Sequence, residues 1–348
     1  MKATVLYAGL ASPHVGWVAI DELAELLAYY FHAEVLSPTP VTGSWPGRLL
    51  RPHQINYESL QTSGGDVLLV VARGPSDLGM VNAIRDCRKK FSKIYGFVTD
   101  SYFRAGFVKE TALYDAITVT AHEDVDYPKE RFGIAVHQLY QGADCLTWMP
   151  LEKKEREIDL IGFGRTPPSY QSCFSKRFHP ATSSHLYLHS PLGKISGQSV
   201  HLERGMLFKL LQRARISLAF HLYVEPQGDR PRSMMVTSRW LESLLSGCIV
   251  AGRRPLSRMA DDMLFWQGST VELSEDPQNA ADELIALLDH NETLVKQRHS
   301  NIFHSLVYHD WRHRIGVMCS LFNLPVPGTL GNDMARLQAL AAPYQPPA

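Results

Sequence analysis

At 348 residues, with 35 Lys and Arg against 35 Asp and Glu and a pI near 7.3, the chain is long enough for about two domains, each able to bury its own core. The charge balance excludes a global field that would draw nucleic acid or an anionic membrane, and leaves acidic ligands to local clusters. The five cysteines (Cys87, Cys145, Cys173, Cys248, Cys319) lack CxxC spacing and read as free thiols of a reducing cytoplasm. The first apolar run, Ala3 to Leu10, is too short for a membrane span and lacks a signal peptide's pattern, so a cytoplasmic protein with no transmembrane segment is expected.

Thr4 to Ala8 reads as a buried strand, Ala11 to Trp17 as a turn, and Ala19 to Tyr30 as a helix, which is the opening of an α/β unit. His14 lies on that turn, where α/β sheets hold ligands; it is either a catalytic residue or a loop histidine capping the helix. A strand at Ala33 to Leu36 leads into a Pro- and Gly-rich stretch, Ser37 to Gly64, that is either an acceptor surface or an irregular cover. Asp66 to Val71 is the near-continuous apolar run of a strand buried on both faces, followed by an expected helix at Leu78 to Phe91 and a strand at Lys93 to Val98. Asp100 follows that strand's carboxyl end, as a candidate base or as a turn cap. Strands at Ala116 to Thr120 and Ile134 to Leu139 complete a first block, and the charged run Leu151 to Glu157 marks a linker.

The alternation restarts at Ile158 to Arg165, a strand ending in Gly-x-Gly-Arg, where Gly164 lets backbone approach a phosphate and Arg165 can neutralise it. Ser184 to Leu188 reads as a strand, Arg204 to Ala214 as a helix and Ile216 to Phe220 as a strand. The stretch Ser238 to Gly252 then reads as helix, tight turn and buried strand, with Trp240, Leu241, Leu244 and Leu245 on the core face and Gly247 at the stop. Ser238, Arg239 and Glu242 stand near the helix opening, where free N–H groups and the dipole suit an anion and Glu242 could accept from hydroxyls. Thr270 to Leu273 is a last strand, helices follow at Pro277 to Asp289, Glu292 to Ser305 and Trp311 to Phe322, and a short helix comes after the break at Pro325 to Gly331. The expected architecture is α/β, with two doubly wound Rossmann-like domains facing across a cleft: residues 1–150, residues 151–325, and a C-terminal tail at 326–348.

The order Gly162-x-Gly164-Arg165, Ile216 to Phe220, Ser238 to Glu242, Ser246 to Val250 and His309 to Arg312 with Arg314, preceded by Gln141-Gly142-Ala143-Asp144, resembles the GT-B glycosyltransferases. Within them it is most similar to the group-1-like set that includes CgeB-type proteins. The resemblance implies transfer of a sugar from a nucleotide diphosphate sugar, with UDP or GDP as the carrier, held by the second domain, to an acceptor held by the first. It implies Glu242 on the donor ribose, Arg239, Arg165, Gly164 and Ser238 at the diphosphate, and no metal or other cofactor. Met234 stands where retaining members carry a second glutamate, so the stereochemistry stays open, with Asp100 or His14 as the base an inverting enzyme needs. The acceptor is left among glycan, lipid-linked carrier, small metabolite and modified nucleic acid. The competing readings are a nucleotide-sugar epimerase on the same plan and a non-catalytic nucleotide-sugar binding protein.

Overall fold

The computed structural model describes residues 1–11, 15–41, 55–150, 155–189, 199–225 and 233–346. Thirteen strands appear among them: β1 (Ala3–Leu6), β2 (Glu34–Leu36), β3 (Pro40–Val41), β4 (Asn56–Tyr57), β5 (Gly65–Ala72), β6 (Phe91–Val98), β7 (Ala116–Val119), β8 (Ala135–Gln138), β9 (Ile158–Gly162), β10 (Tyr187–His189), β11 (Ala214–Phe220), β12 (Ile249–Arg253) and β13 (Val271–Glu272). Among the described residues the α-helices of eight or more residues are α1 (Val18–Phe31), α2 (Pro168–Phe178), α3 (Ser199–Leu211), α4 (Ser238–Leu245), α5 (Pro277–Asp289), α6 (Asn291–His304), α7 (Trp311–Leu321) and α8 (Gly328–Ala341).

Two sheets result, one in the order β2-β1-β5-β6-β7-β8 and the other β10-β9-β11-β12-β13, and every ladder in both is parallel. A parallel sheet needs crossovers that cover both faces, so its strands are apolar throughout. In β5 the period of two is visible in the packing: Val67, Leu69 and Val71 belong to one core, and Leu68, Val70 and Ala72 to the core on the other face. In each sheet the chain first steps to one side (β1 to β2, β9 to β10) and then crosses to the other, leaving a crevice beyond the carboxyl ends of β1 and β5 and of β9 and β11. This is the expected pair of doubly wound domains.

The C-terminal segment departs from the expected boundaries. A π-turn at Ser305–His309 ends α6, and the Asp310 side chain accepts from the Arg312 backbone N–H to start α7. Residues 311–322, assigned by sequence to the second domain, return to the first: Trp311, Ile315, Met318, Cys319 and Phe322 sit in one core with Leu23, Leu27 and Phe97. The segment expected as a C-terminal tail also carries core residues, since Leu330 of α8 joins the first-domain core while Leu337 and Ala341 join the core beneath α4. The apolar face of Trp311 to Phe322 is matched by a groove on α1 and not on the second sheet. The position of the other boundary, residues 151–154, lies outside the described residues.

At the crossing, Ala143 and Asp310 form a parallel bridge, with Ala143 N–H on His309 O at 2.9 Å and Trp311 N–H on Ala143 O at 3.0 Å. Arg312 donates to Asp144 at 2.7 Å and to the Tyr30 hydroxyl at 2.8 Å. Three helical expectations also shift. Leu78 to Phe91 is a 3-10 helix at Pro75–Ala83 and a four-residue helix at Cys87–Lys90, because Asp86 turns at φ 54° and Phe91 already belongs to β6. The helix expected at Arg204 to Ala214 begins at Ser199, and Ala214 opens β11. The final short helix is fourteen residues long and starts inside the expected break, at Gly328.

A Cβ on Gly142 would lie 2.9 Å from His309 O and 3.0 Å from Trp311 N, both backbone atoms that cannot swing away. Gly142→Ala is therefore expected to destabilise the protein by about 1–3 kcal/mol, read as a lower midpoint in urea unfolding.

Candidate functional site

A cavity of 370 Å³ lies between the two sheets at their carboxyl edges. The first domain supplies Trp17 and Ile20 from the opening of α1, and Asp100 and Tyr102 from the loop after β6. The second supplies Arg165 from the loop after β9 and Met235 to Arg239 leading into α4. Four of the residues singled out by sequence, Asp100, Arg165, Ser238 and Arg239, thus meet in one space although they come from three separate stretches.

The second-domain wall is built for negative charge. Gly164 turns the chain at φ 67°, and a Cβ there would fall 2.5 Å from Arg239 Nη2, so glycine makes room for the guanidinium. Arg239 Nη1 donates to Arg165 O at 2.7 Å, and the guanidinium carbon lies 5.7 Å from the centre of the Phe163 ring. Arg239 Nε is enclosed and has no hydrogen-bond partner among the described residues. Burial, with Arg165 repelling it, pushes the Arg239 pKa down to about 10; partial burial also holds Arg165 below its usual value. Among the described residues neither arginine makes an ion pair with a carboxylate. Two guanidiniums side by side without a counter-ion make an electrostatic deficit that an anion would relieve.

The helix ends reinforce this. Ser257 and Asp276 cap their helices with side-chain oxygens, whereas Thr237 gives α4 no side-chain cap, and its opening faces the cavity. The opening of α2, which follows β9 and would be the other natural anion seat, is occupied by the chain itself: Ser169 N–H donates to Glu225 Oε2 at 3.1 Å. Of the two helix openings on this cavity, α1 and α4, the one that stands beside both arginines is that of α4.

Across the cavity, Asp100 is half-buried and its carboxyl is pushed up to about 7 by burial, opposed by a long contact of 3.5 Å from the Tyr102 hydroxyl. A carboxyl in this range exchanges its proton near neutral pH.

Glu242 is placed elsewhere. It does not line the cavity; one turn inside α4, it is buried and accepts from Arg204 Nη1 at 2.7 Å. The amphipathic pattern put it near the helix opening but could not show that α3 brings a cation to it. His14 lies outside the described residues, as does Asp229, the nearest acid upstream of Met234. Arg253 and Arg254 pair with Glu272, Glu275 and Asp261 and stay out of the cavity. Sequence reasoning passed over Trp17 and Tyr102; their signal was aromatic residues within two or three positions of His14 and Asp100, on loops already flagged. Among the described residues no group of three His, Cys, Asp or Glu could hold a metal ion, and no helix is long and apolar enough to cross a membrane.

Residues 180–320 match the model of a family described as glycosyl transferase-like. Among solved structures the chain is similar to HepE of Anabaena in complex with UDP and glucose (TM-score 0.56, 10% identity, covering 93% of this chain and 100% of that one) and in complex with UDP-glucose (TM-score 0.54, 11% identity, 93% and 99%). No curated protein matches by sequence. The chain thus has the fold of the GT-B glycosyltransferases, and its residues 180–320 are similar to a glycosyl transferase-like family; neither likeness specifies the CgeB-type set.

Asp100 gives a test independent of any ligand. Its folded pKa, about 7, stands above the unfolded 3.8, so the stability it contributes is fully present below pH 3.8 and is lost as pH rises through 7. Asp100→Asn is expected to raise the thermal midpoint at pH 8, by roughly 2 °C or more, and to leave it unchanged near pH 4. An equal midpoint shift at both pH values would show that Asp100 is not held in this environment.

Proposed function

We propose that the protein transfers a sugar from a nucleotide diphosphate sugar to an acceptor hydroxyl, with Asp100 as the general base and inversion at the anomeric carbon. The observation that carries this reading is the pairing, across one cavity, of an acid poised near neutrality with two guanidiniums that lack a counter-ion. The donor diphosphate lies at the α4 opening against Arg239, Arg165 and the Ser238 backbone, and the acceptor enters along Trp17 and Tyr102. Asp100 takes the proton of the acceptor hydroxyl as its oxygen attacks the anomeric carbon. The bond from that carbon to the diphosphate breaks, and the electron pair leaves on the diphosphate oxygen, whose charge the two arginines stabilise. An attacking group and a leaving group on opposite walls fit a single in-line displacement.

HepE, the structural neighbour, was solved with UDP and with UDP-glucose, which makes UDP the first carrier to test and glucose the first sugar. Glu242 has no donor role in this reading, because its carboxylate is engaged by Arg204 away from the cavity.

Calorimetric titration with UDP and GDP tests the donor seat. Arg165→Ala and Arg239→Ala should each weaken binding of the preferred diphosphate roughly 10- to 100-fold, the loss of a hydrogen bond between charged partners. Affinity unaltered in both variants would remove the α4 opening from the site. For the base, Asp100→Asn should lower kcat by about 10² to 10⁴ with diphosphate affinity retained, and wild-type kcat/KM should fall as pH drops below about 7 and Asp100 takes up its proton. A donor isomerised in the absence of any acceptor would favour the epimerase reading instead.

A further inference from the structure

One buried cluster remains outside the site. Arg204 of α3 donates through Nε to Glu22 Oε1 at 2.5 Å and through Nη1 to Glu242 Oε1 at 2.7 Å. All three side chains are shut away from water, with residue exposures of 6%, 7% and 4%. Trp148 Nε1 also donates to Glu22 Oε1 at 2.6 Å, and the Asp144 N–H to Glu22 Oε2 at 3.2 Å. The guanidinium lies against stacked Trp148 and Phe208, 5.8 and 5.1 Å from their ring centres. The aromatic pair fixes where the charge sits.

The two carboxylates belong to helices that open on opposite walls of the cavity. Glu22 is two residues beyond Ile20, which lines the first-domain wall at the opening of α1; Glu242 is three residues beyond Arg239, which lines the diphosphate wall at the opening of α4. A single cation therefore joins the two helices whose openings define the cleft. Its neighbours do not replace it. From α1 come Asp21 and Glu25, both acids; from α3, His201, 3.5 Å from Asp21; from the loop after β8, Asp144; from α4, Arg239, turned toward Arg165; and from beyond β5, Arg73, paired with Asp77. Burial raises the Glu22 carboxyl even with Arg204 beside it.

We propose that Arg204 is a positioning residue for the transfer reaction: by holding Glu22 and Glu242 on one guanidinium it sets the separation between the acceptor wall and the diphosphate wall. The catalytic part of this statement rests on the function proposed above. Without the cation, two buried carboxylates face each other across the domain contact, and mutual repulsion together with their demand for water parts the helices. A displacement of about 1 Å between reacting groups is enough to cost on the order of 100-fold in rate.

The test uses Arg204→Met, which keeps an unbranched stem against Trp148 and Phe208 but removes the charge, and the charge-neutral triple variant Glu22→Gln/Arg204→Met/Glu242→Gln. Each is compared with wild type at the same pH, so that titration of Asp100 cancels. At pH 8, Arg204→Met should lose roughly 10- to 100-fold in kcat/KM, and the triple variant, which removes both carboxylate charges together with the cation, should recover most of the activity. A second readout needs no turnover. Spin labels at Tyr29→Cys on α1 and Leu256→Cys after β12, both exposed sites in a chain whose native thiols are buried, should report a longer, broader distance at pH 8 in Arg204→Met and the wild-type distance in the triple variant. An unchanged distance in Arg204→Met, or a triple variant as impaired as the single one, would overturn the proposal. A wild-type protein that neither binds a nucleoside diphosphate nor transfers sugar would overturn the proposed function and leave the distance measurement to decide the role of Arg204.

Discussion

Parallel pairing puts all the carboxyl ends of a sheet on one edge, and that constraint governs this molecule. Because both sheets are parallel throughout, each offers one edge of strand-to-helix loops, and the two edges face each other. Asp100 after β6, Arg165 after β9 and the α4 opening after β11 all follow the carboxyl end of a parallel strand. The cavity is a product of topology before it is a product of particular side chains, which is why so many functions can share such a scaffold and why its specific residues must be argued one by one.

Much of this was legible in the sequence for a simple reason. Strands buried on both faces leave nearly continuous apolar runs, and residues 66–71, 158–162 and 216–220 carry that mark with turn residues beside them. Asp100, Arg165 and Arg239 could be placed because a strand's end or a helix's opening is a local property. Glu242 could not, because its environment is decided by Arg204, thirty-eight residues earlier, and by Glu22 on another domain. The return of the chain to the first core after residue 310 was not legible for a like reason: a helix displays an apolar face in its sequence, but nothing in that face says which of two sheets will cover it.

The polar interior divides into satisfied and unsatisfied parts. At the domain crossing Arg312 meets Asp144, Asp310 and Tyr30, and beneath α4 Arg204 meets two glutamates, so these buried cations are held by charge-assisted hydrogen bonds even though Arg204 Nη2 has no partner among the described residues. At the cavity the balance is left incomplete: Arg239 keeps an unpartnered Nε and Asp100 a proton that burial makes hard to lose. Such groups oppose folding and favour a ligand that completes them, the usual relation between a stable framework and the site it carries.

Trp311 sits fully buried in the first-domain core and donates its indole N–H to Ala19 O at 3.2 Å, across 292 positions of chain. The first domain therefore cannot finish folding as it leaves the ribosome: its sheet can assemble from residues 3 to 138, but the groove on α1 stays open until the whole second domain has been made. The two domains are consecutive in sequence, yet the earlier one is closed last, its apolar groove on α1 left uncovered until α7 has been made. A shortened chain lacking α7 would retain every residue of both cavity walls and still lack the piece that seals the first of them.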